Sequence, residues 1–222
     1  MFGRVAHRYD LANHLLSFNI DRHWRSRTVA EVRDVLRRPD AKVVDLCCGT
    51  GDLLMALETD RGQSCFGSDF CHPMLTAANA KLRKARLQSQ TFESDALRLP
   101  VRDGSLDLIT VAFGFRNLTN YDAGLKEMRR ALRPGGLAAI LEFSQPTNPA
   151  FAALYGFYSQ RILPVIGGAI SGARDAYTYL PESVRKFPDA PELAERMRAA
   201  GFPEVRFVRM TFGIVALHLG RV

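Results

Sequence analysis

Residues 45–52 read Asp-Leu-Cys-Cys-Gly-Thr-Gly-Asp and join a short β-rich run to a helical pattern. Gly49 and Gly51 would let the backbone of this turn come close to a ligand. A dinucleotide fingerprint, G-x-G-x-x-G, would place glycines at 47, 49 and 52, but Cys47 and Asp52 occupy two of those positions. An acidic residue at a helix N-terminus repels phosphate and tolerates a cation. The stretch from Asp45 to Asp52 therefore predicts a cationic sulfonium cofactor, S-adenosylmethionine (SAM), and disfavours a pyrophosphate-bearing one.

Two further strand ends carry acidic residues in register with this turn. Eighteen residues beyond Gly51, Gly67-Ser-Asp69-Phe70 places a carboxylate where it can accept both ribose hydroxyls, with Phe70 against adenine. Glu93-Ser-Asp95-Ala96 closes a third run, where Asp95 can read the adenine amino group and the Ala96 amide can face a ring nitrogen. One such carboxylate alone is ordinarily a solvated turn former. Three in register, together with a predicted turn at Leu132-Arg-Pro-Gly-Gly136, match the ordered motif set of class I methyltransferases.

These residues need a scaffold, and the pattern supplies one. A leading amphipathic helix is predicted over 21–38, with Trp24, Val29, Val32, Val35 and Leu36 on its apolar face. Strands over 42–46, 64–68, 91–94, 106–113 and 137–143 alternate with helices over 53–58, 73–87 and 122–132. Such alternation gives a mostly parallel sheet with helices on both faces. A helix over 191–200 precedes two strands, 205–211 and 214–220, whose Phe212-Gly213 turn makes an antiparallel hairpin for the sheet edge. The expected fold is a seven-stranded α/β, Rossmann-like class I methyltransferase domain over 1–222, with a helical lid at 1–40 and a substrate-covering insertion at 149–190.

Composition excludes some functions. With 222 residues and 47% apolar content the chain can bury a full core. Its 30 basic and 23 acidic residues give +7, suiting an anionic partner or membrane surface. The basic residues are dispersed and lack interleaved aromatics, so no nucleic-acid partner is expected. Cys47, Cys48, Cys65 and Cys71 lack the paired spacing of a zinc site, so no metal is expected. The N-terminus shows no export signal, and no apolar run is long enough to span a bilayer, which predicts a cytoplasmic protein.

Three segments outside these motifs carry more specific information: 9–25, containing Asn13, Ser17, Arg22, Trp24 and Arg25; Phe113-Gly-Phe-Arg116-Asn117; and Tyr177-Thr-Tyr-Leu-Pro-Glu-Ser183, running on to Pro188. Through them the chain resembles, over almost its whole length, the C-methyltransferases of ubiquinone, menaquinone and phylloquinone biosynthesis. The resemblance implies methyl transfer from SAM to a ring carbon of a prenylated quinol, with cofactor contacts at Thr50, Asp69, Asp95, Ala96 and position 112. Ala112 stands where many relatives have serine, so that side-chain contact is absent. Asn19-Ile20-Asp21-Arg22 replaces a common Gly-x-His-Arg, and the Cys47-Cys48 pair resembles the phylloquinone branch.

A quinol carbon becomes nucleophilic when a neighbouring hydroxyl loses its proton. Arg116, at the carboxyl end of the fourth strand, is the expected catalytic group, with Asn117 fixing a water or the second hydroxyl. Arginine stays protonated, so it is better suited to stabilising a phenolate than to accepting a proton. Tyr9, His14 and His218 are alternative bases. The apolar stretch 151–170, broken by Pro164, Gly167 and Gly168, reads as a bent cover for a prenyl tail, and with the positive charge it predicts peripheral membrane association. A homodimer is compatible with the sequence. Two other functions are carried alongside: methylation of another small molecule, and a non-catalytic SAM-binding scaffold subunit of a quinone-synthesis complex.

Overall fold

The computed structural model describes residues 17, 19–158, 161 and 181–222. The chain enters through helix α1 (Ile20–Glu31) and a short α2 (Arg33–Leu36). The single predicted helix over 21–38 is thus two, because Val32 leaves helical geometry at φ −103°, ψ 4°. The break costs no burial: Trp24, Val29, Val32, Val35 and Leu36 are all buried.

Strands β1 (Val43–Leu46), β2 (Phe66–Asp69), β3 (Gln90–Glu93), β4 (Leu106–Ala112), β5 (Leu132–Phe143), β6 (Glu204–Met210) and β7 (Val215–Arg221) form one sheet in the order β3-β2-β1-β4-β5-β7-β6. The first five are parallel. β1 is buried along its whole length and β4 up to its last residue, which accounts for their nearly continuous apolar sequence. The C-terminal hairpin forms and extends the sheet edge antiparallel, as expected. Within it β7 lies between β5 and β6 and pairs antiparallel with both, leaving β6 at the margin. Residues 132–136 are not a separate turn. They open β5, whose pairing with β4 slips between Leu106 and Leu108.

Helices α3 (Asp52–Arg61), α4 (His72–Ala85), α5 (Tyr121–Ala131), α6 (Pro149–Phe157) and α7 (Ala190–Ala199) complete the described elements. Their starts are written locally. Pro73 sits in the first turn of α4, Asn120 caps α5 by accepting from the Ala123 amide at 2.9 Å, and Asp189 caps α7 by accepting from Glu192 at 2.9 Å. Two apolar layers sandwich the sheet. Trp24, Val32, Leu36 and Leu54 belong to one, and Phe115, Met128, Leu193 and Phe202 to the other. Every parallel strand consequently points its carboxyl end to the same rim of the sheet, where α/β folds bind ligands.

Candidate active site

At that rim a cavity of about 770 Å³ opens between the ends of β1, β2, β4 and β5, helices α1 and α6, and the β6–β7 turn. This size accommodates a small-molecule ligand. Asp45, Gly49, Thr50, Asp69, Phe70, Asp95, Ala96 and Ala112 all line it, as do Arg116 and Asn117. Gly51 lies in the same turn, between the lining residues Thr50 and Asp52. It caps α3 with φ +85°, and an added Cβ would press on Ala78 at 3.3 Å, so glycine here serves the turn and its packing.

One half of the cavity presents the polar groups that an adenosyl ligand would need. Gly49 and Cys71 amides donate to the two oxygens of Asp69 at 2.9 and 2.8 Å. These bonds fix the carboxylate and leave lone pairs on both oxygens for a pair of hydroxyls. Phe70 beside it is 74% exposed and offers a ring face. Asp95 is oriented by the Leu97 amide at 2.9 Å. Below the turn, Asp45 is buried and accepts a 2.7 Å bond from Thr110, its direct neighbour across the β1–β4 pairing. Burial pushes the Asp45 carboxyl up to about 7, against the pull of Thr110 and Arg25.

Asp52 needs a different account from the one its position suggested. It forms ion pairs with Lys81 and, at 3.7 Å, with Arg25, so its charge is already matched by two cations. Arg25 also pairs with Asp21 on its own helix. The chain Asp21, Arg25, Asp52, Lys81 therefore ties α1 to the cofactor turn and α4. Among the described residues no ion pair engages Asp45, Asp69 or Asp95, and these carboxylates are the ones left to face a cationic ligand. The Cys47 and Cys48 thiols are pushed up by burial and stay neutral.

The other half is aromatic. Phe113 and Phe143 lie 4.8 Å apart, with Trp24 at 5.8 and 6.4 Å from them. Arg25 stands over Phe113 at 5.5 Å, and Arg116 over Phe143 at 5.3 Å. Phe151, Tyr155 and Tyr158 extend the wall, and burial raises the Tyr155 hydroxyl to about 12. Positive φ angles collect here. Cys47, Phe113, Thr211 and Phe212 all take them and all line the cavity. Each such angle costs roughly 1–3 kcal/mol, and strain of this kind gathers at functional sites.

Arg116 lies in a 3-10 turn, Phe115–Asn117, just past β4, and is buried. Its Nη1 donates to both oxygens of Glu142 at 2.7 and 3.2 Å and also to the Phe113 carbonyl. Tyr121 holds the turn from outside through a 3.1 Å bond to the Arg116 carbonyl, and Phe187 packs edge-on against Tyr121 at 5.3 Å. Phe187, in the second half of the 177–188 stretch singled out in the sequence, also meets Phe115 of the 113–117 segment, their rings 6.4 Å apart. Glu142 was missed by sequence reasoning. A lone carboxylate near the end of the otherwise apolar run 137–143 was the available signal.

Comparison with known proteins decides the family. A family model described as the ubiE/COQ5 methyltransferase family matches residues 1–221. The chain belongs to that family. A demethylmenaquinone methyltransferase of Thermus thermophilus is 47% identical over 221 residues, covering 99% of each chain. One from Deinococcus radiodurans is 45% identical, over 99% of this chain and 90% of its own. A ubiquinone/menaquinone biosynthesis C-methyltransferase of Shewanella frigidimarina is 41% identical, over 99% and 88%. Among solved structures, a SAM-dependent methyltransferase of Methanococcus maripaludis, described as putative, shares the fold with a TM-score of 0.67 at 17% identity, covering 100% of this chain and 94% of that one. The chain is a SAM-dependent methyltransferase with the class I fold.

The methyltransferase also corrects one expectation about its base. His218 lies on β7, outside the cavity, with Nε2 bonded to the Ala190 carbonyl at 2.9 Å and the ring against Phe207. Burial lowers it to about 4, so it is a neutral packing residue. Tyr9 and His14 fall outside the described residues. The departure at 19–22 acquires a physical reason. Asn19 holds φ 60°, a left-handed geometry that asparagine tolerates in place of glycine, and Asp21 supplies the ion pair to Arg25.

Proposed function

We propose that the methyltransferase transfers the methyl group of SAM to a ring carbon of a prenylated quinol of the demethylmenaquinol type. The names of its relatives support the substrate class. The observation that carries the reading is the aromatic half-cavity with a buried arginine at its edge: Phe113, Phe143 and Trp24 suit a flat apolar ring, and Arg116 suits an oxygen on that ring.

In this reading Asp69 accepts the ribose hydroxyls, Phe70 covers adenine, and Asp95 with the Ala96 amide reads the adenine edge. Asp45, Gly49 and Thr50 surround the methionine end, and Ala112 offers only its backbone and methyl. Bound there, SAM supplies an electrophilic methyl on a positive sulfur. Arg116 stabilises the phenolate formed when the quinol hydroxyl passes its proton to water, and Asn117 holds that water or the second hydroxyl. The ring carbon ortho to that oxygen forms the new C–C bond as the S–CH₃ bond breaks. The proton on that carbon then passes to water, restoring aromaticity. Arg116 remains a cation throughout. A nearby tyrosine such as Tyr155 is no base at neutral pH.

We further propose that the cavity mouth rests on a membrane surface. Phe212 is 74% exposed on a turn of positive φ, Phe157 is 61% exposed, and Ile20 is exposed too, with Arg22 and Arg161 as exposed cations on the same segments. Apolar side chains rimmed by cations suit an anionic interface. No described helix is long and apolar enough to cross a membrane. Incubation with SAM and either reduced or oxidised demethylmenaquinone tests the main reading. Methylation of the reduced form alone is expected, and methylation of neither form, or of both equally, would overturn it.

A further inference from the structure

Glu142 sits next to the last residue of β5, almost fully buried, and does not line the cavity. It nevertheless makes the principal side-chain contact of Arg116. Both of its oxygens accept from Nη1, and Oε2 also faces the Arg116 backbone amide at 3.4 Å. The Phe113 carbonyl takes a further bond from the same Nη1. This leaves Nη1 saturated. By contrast, Arg116 Nε is buried and finds no acceptor among the described residues. A buried donor without a partner is costly, so its survival calls for an explanation.

The guanidinium is planar and rigid, so clamping Nη1 fixes the direction of the whole fork. The Phe143 ring beneath Cζ, at 5.3 Å, constrains it further. We infer that Glu142 is a positioning residue, holding Arg116 so that its unpartnered Nε edge is kept for an oxygen anion on the substrate ring. The inference rests on the reading that Arg116 stabilises the quinol phenolate.

The pair's charge also has a purpose in this arrangement. An isolated buried guanidinium would be costly in the ligand-free protein and would attract any small anion. Glu142 neutralises it from the side away from the cavity. Burial raises the Glu142 carboxyl, and the Arg116 guanidinium beside it opposes that rise. The substrate then meets a guanidinium whose direction is already fixed.

The experiment uses the full chain with SAM and reduced demethylmenaquinol, comparing Arg116→Ala, Glu142→Gln, Glu142→Asp and the double variant R116A/E142Q. Melting temperature and SAM affinity are measured beside kcat and KM. In Glu142→Gln, kcat should fall at least about tenfold while KM and SAM affinity change by less than about threefold, because the lost interaction acts on the transition state. Glu142→Asp keeps the charge, so it should fold even where the glutamine variant does not, and recover part of kcat. The double variant should be no slower than Arg116→Ala alone, since both changes act through one group. Wild-type kcat in Glu142→Asp and Glu142→Gln beside an inactive Arg116→Ala would overturn the Glu142 assignment alone, as would losses that multiply in the double variant. Wild-type turnover in Arg116→Ala would instead overturn the phenolate reading, and this inference with it.

Discussion

Trp24 Nε1 donates a 2.8 Å hydrogen bond to Thr211 Oγ1, joining residues 187 positions apart in the chain. The bond pins α1 to the strained β6–β7 turn at the cavity mouth. Trp24→Phe retains a ring against Phe113 and Phe143 but removes the donor. The expected loss is about 1 kcal/mol of stability, the usual value for one hydrogen bond. Equilibrium urea unfolding measures it. An unchanged midpoint would mean that packing alone holds the turn.

Arg25 joins Asp21 to Asp52 and so connects α1 with the cofactor turn. Arg25→Met preserves much of the side-chain volume and removes both ion pairs. SAM affinity, read by calorimetry, should weaken by about three- to thirtyfold, equivalent to roughly 0.7–2 kcal/mol for losing a partly buried pair. Wild-type affinity in this variant would show that α1 does not report to the cofactor half.

Asp45 and His218 give the ligand-free enzyme two opposed pH dependences. The Asp45 carboxyl is raised to about 7 in the folded state, so its contribution to stability is full below its unfolded value near 4 and is lost as pH rises through 7. His218 is lowered to about 4, so its contribution is full above about 6.5 and is lost as pH falls toward 4. Between pH 4.5 and 6.5 the two partly cancel. Asp45→Asn should therefore lose stability on acidification more steeply than the wild type, and His218→Asn should lose it more steeply on alkalinisation. Melting temperatures across this window decide, and parallel curves for all three proteins would refute both assignments.

Phe212 holds φ 56° and is mostly exposed. Phe212→Gly removes the left-handed strain, so the variant should melt no lower than the wild type, and higher by the equivalent of up to about 1 kcal/mol. Its flotation with anionic vesicles should nevertheless fall. Undiminished flotation would place the membrane contact elsewhere.

The sequence made the parallel half of the fold legible because buried parallel strands are continuously apolar, and 43–46 and 106–112 announce themselves that way. The strand-end motifs were legible for a related reason: Asp69 ends β2 and Asp95 follows β3, at the spacing successive βαβ units impose. What stayed hidden depends on contacts distant in the chain. The insertion of β7 beside β5 follows from which edge the hairpin meets, and no local pattern records that. Glu142 was concealed because strand periodicity says only that a position is buried, not that Arg116 lies opposite it. The neutralisation of Asp52 needed Lys81 and Arg25 from two other helices. The helix break at Val32 was invisible because apolar spacing continues unchanged across it.

The placement of β7 between β5 and β6 also governs when the enzyme can become complete. Until residues 215–221 have been synthesised and inserted, β5 has an open edge along the strand that carries Glu142 and Phe143, and the turn bearing Thr211 and Phe212 has nothing to close against. A growing chain can assemble its parallel strands early, yet the wall formed by the end of β5 and the β6–β7 turn has to wait for β7. During that interval an unpaired apolar strand is open to other chains. The vulnerable interval in the life of this protein is accordingly the one before β7 is inserted, and changes within β7 should reduce yield in the cell more than they reduce the activity of the molecules that fold.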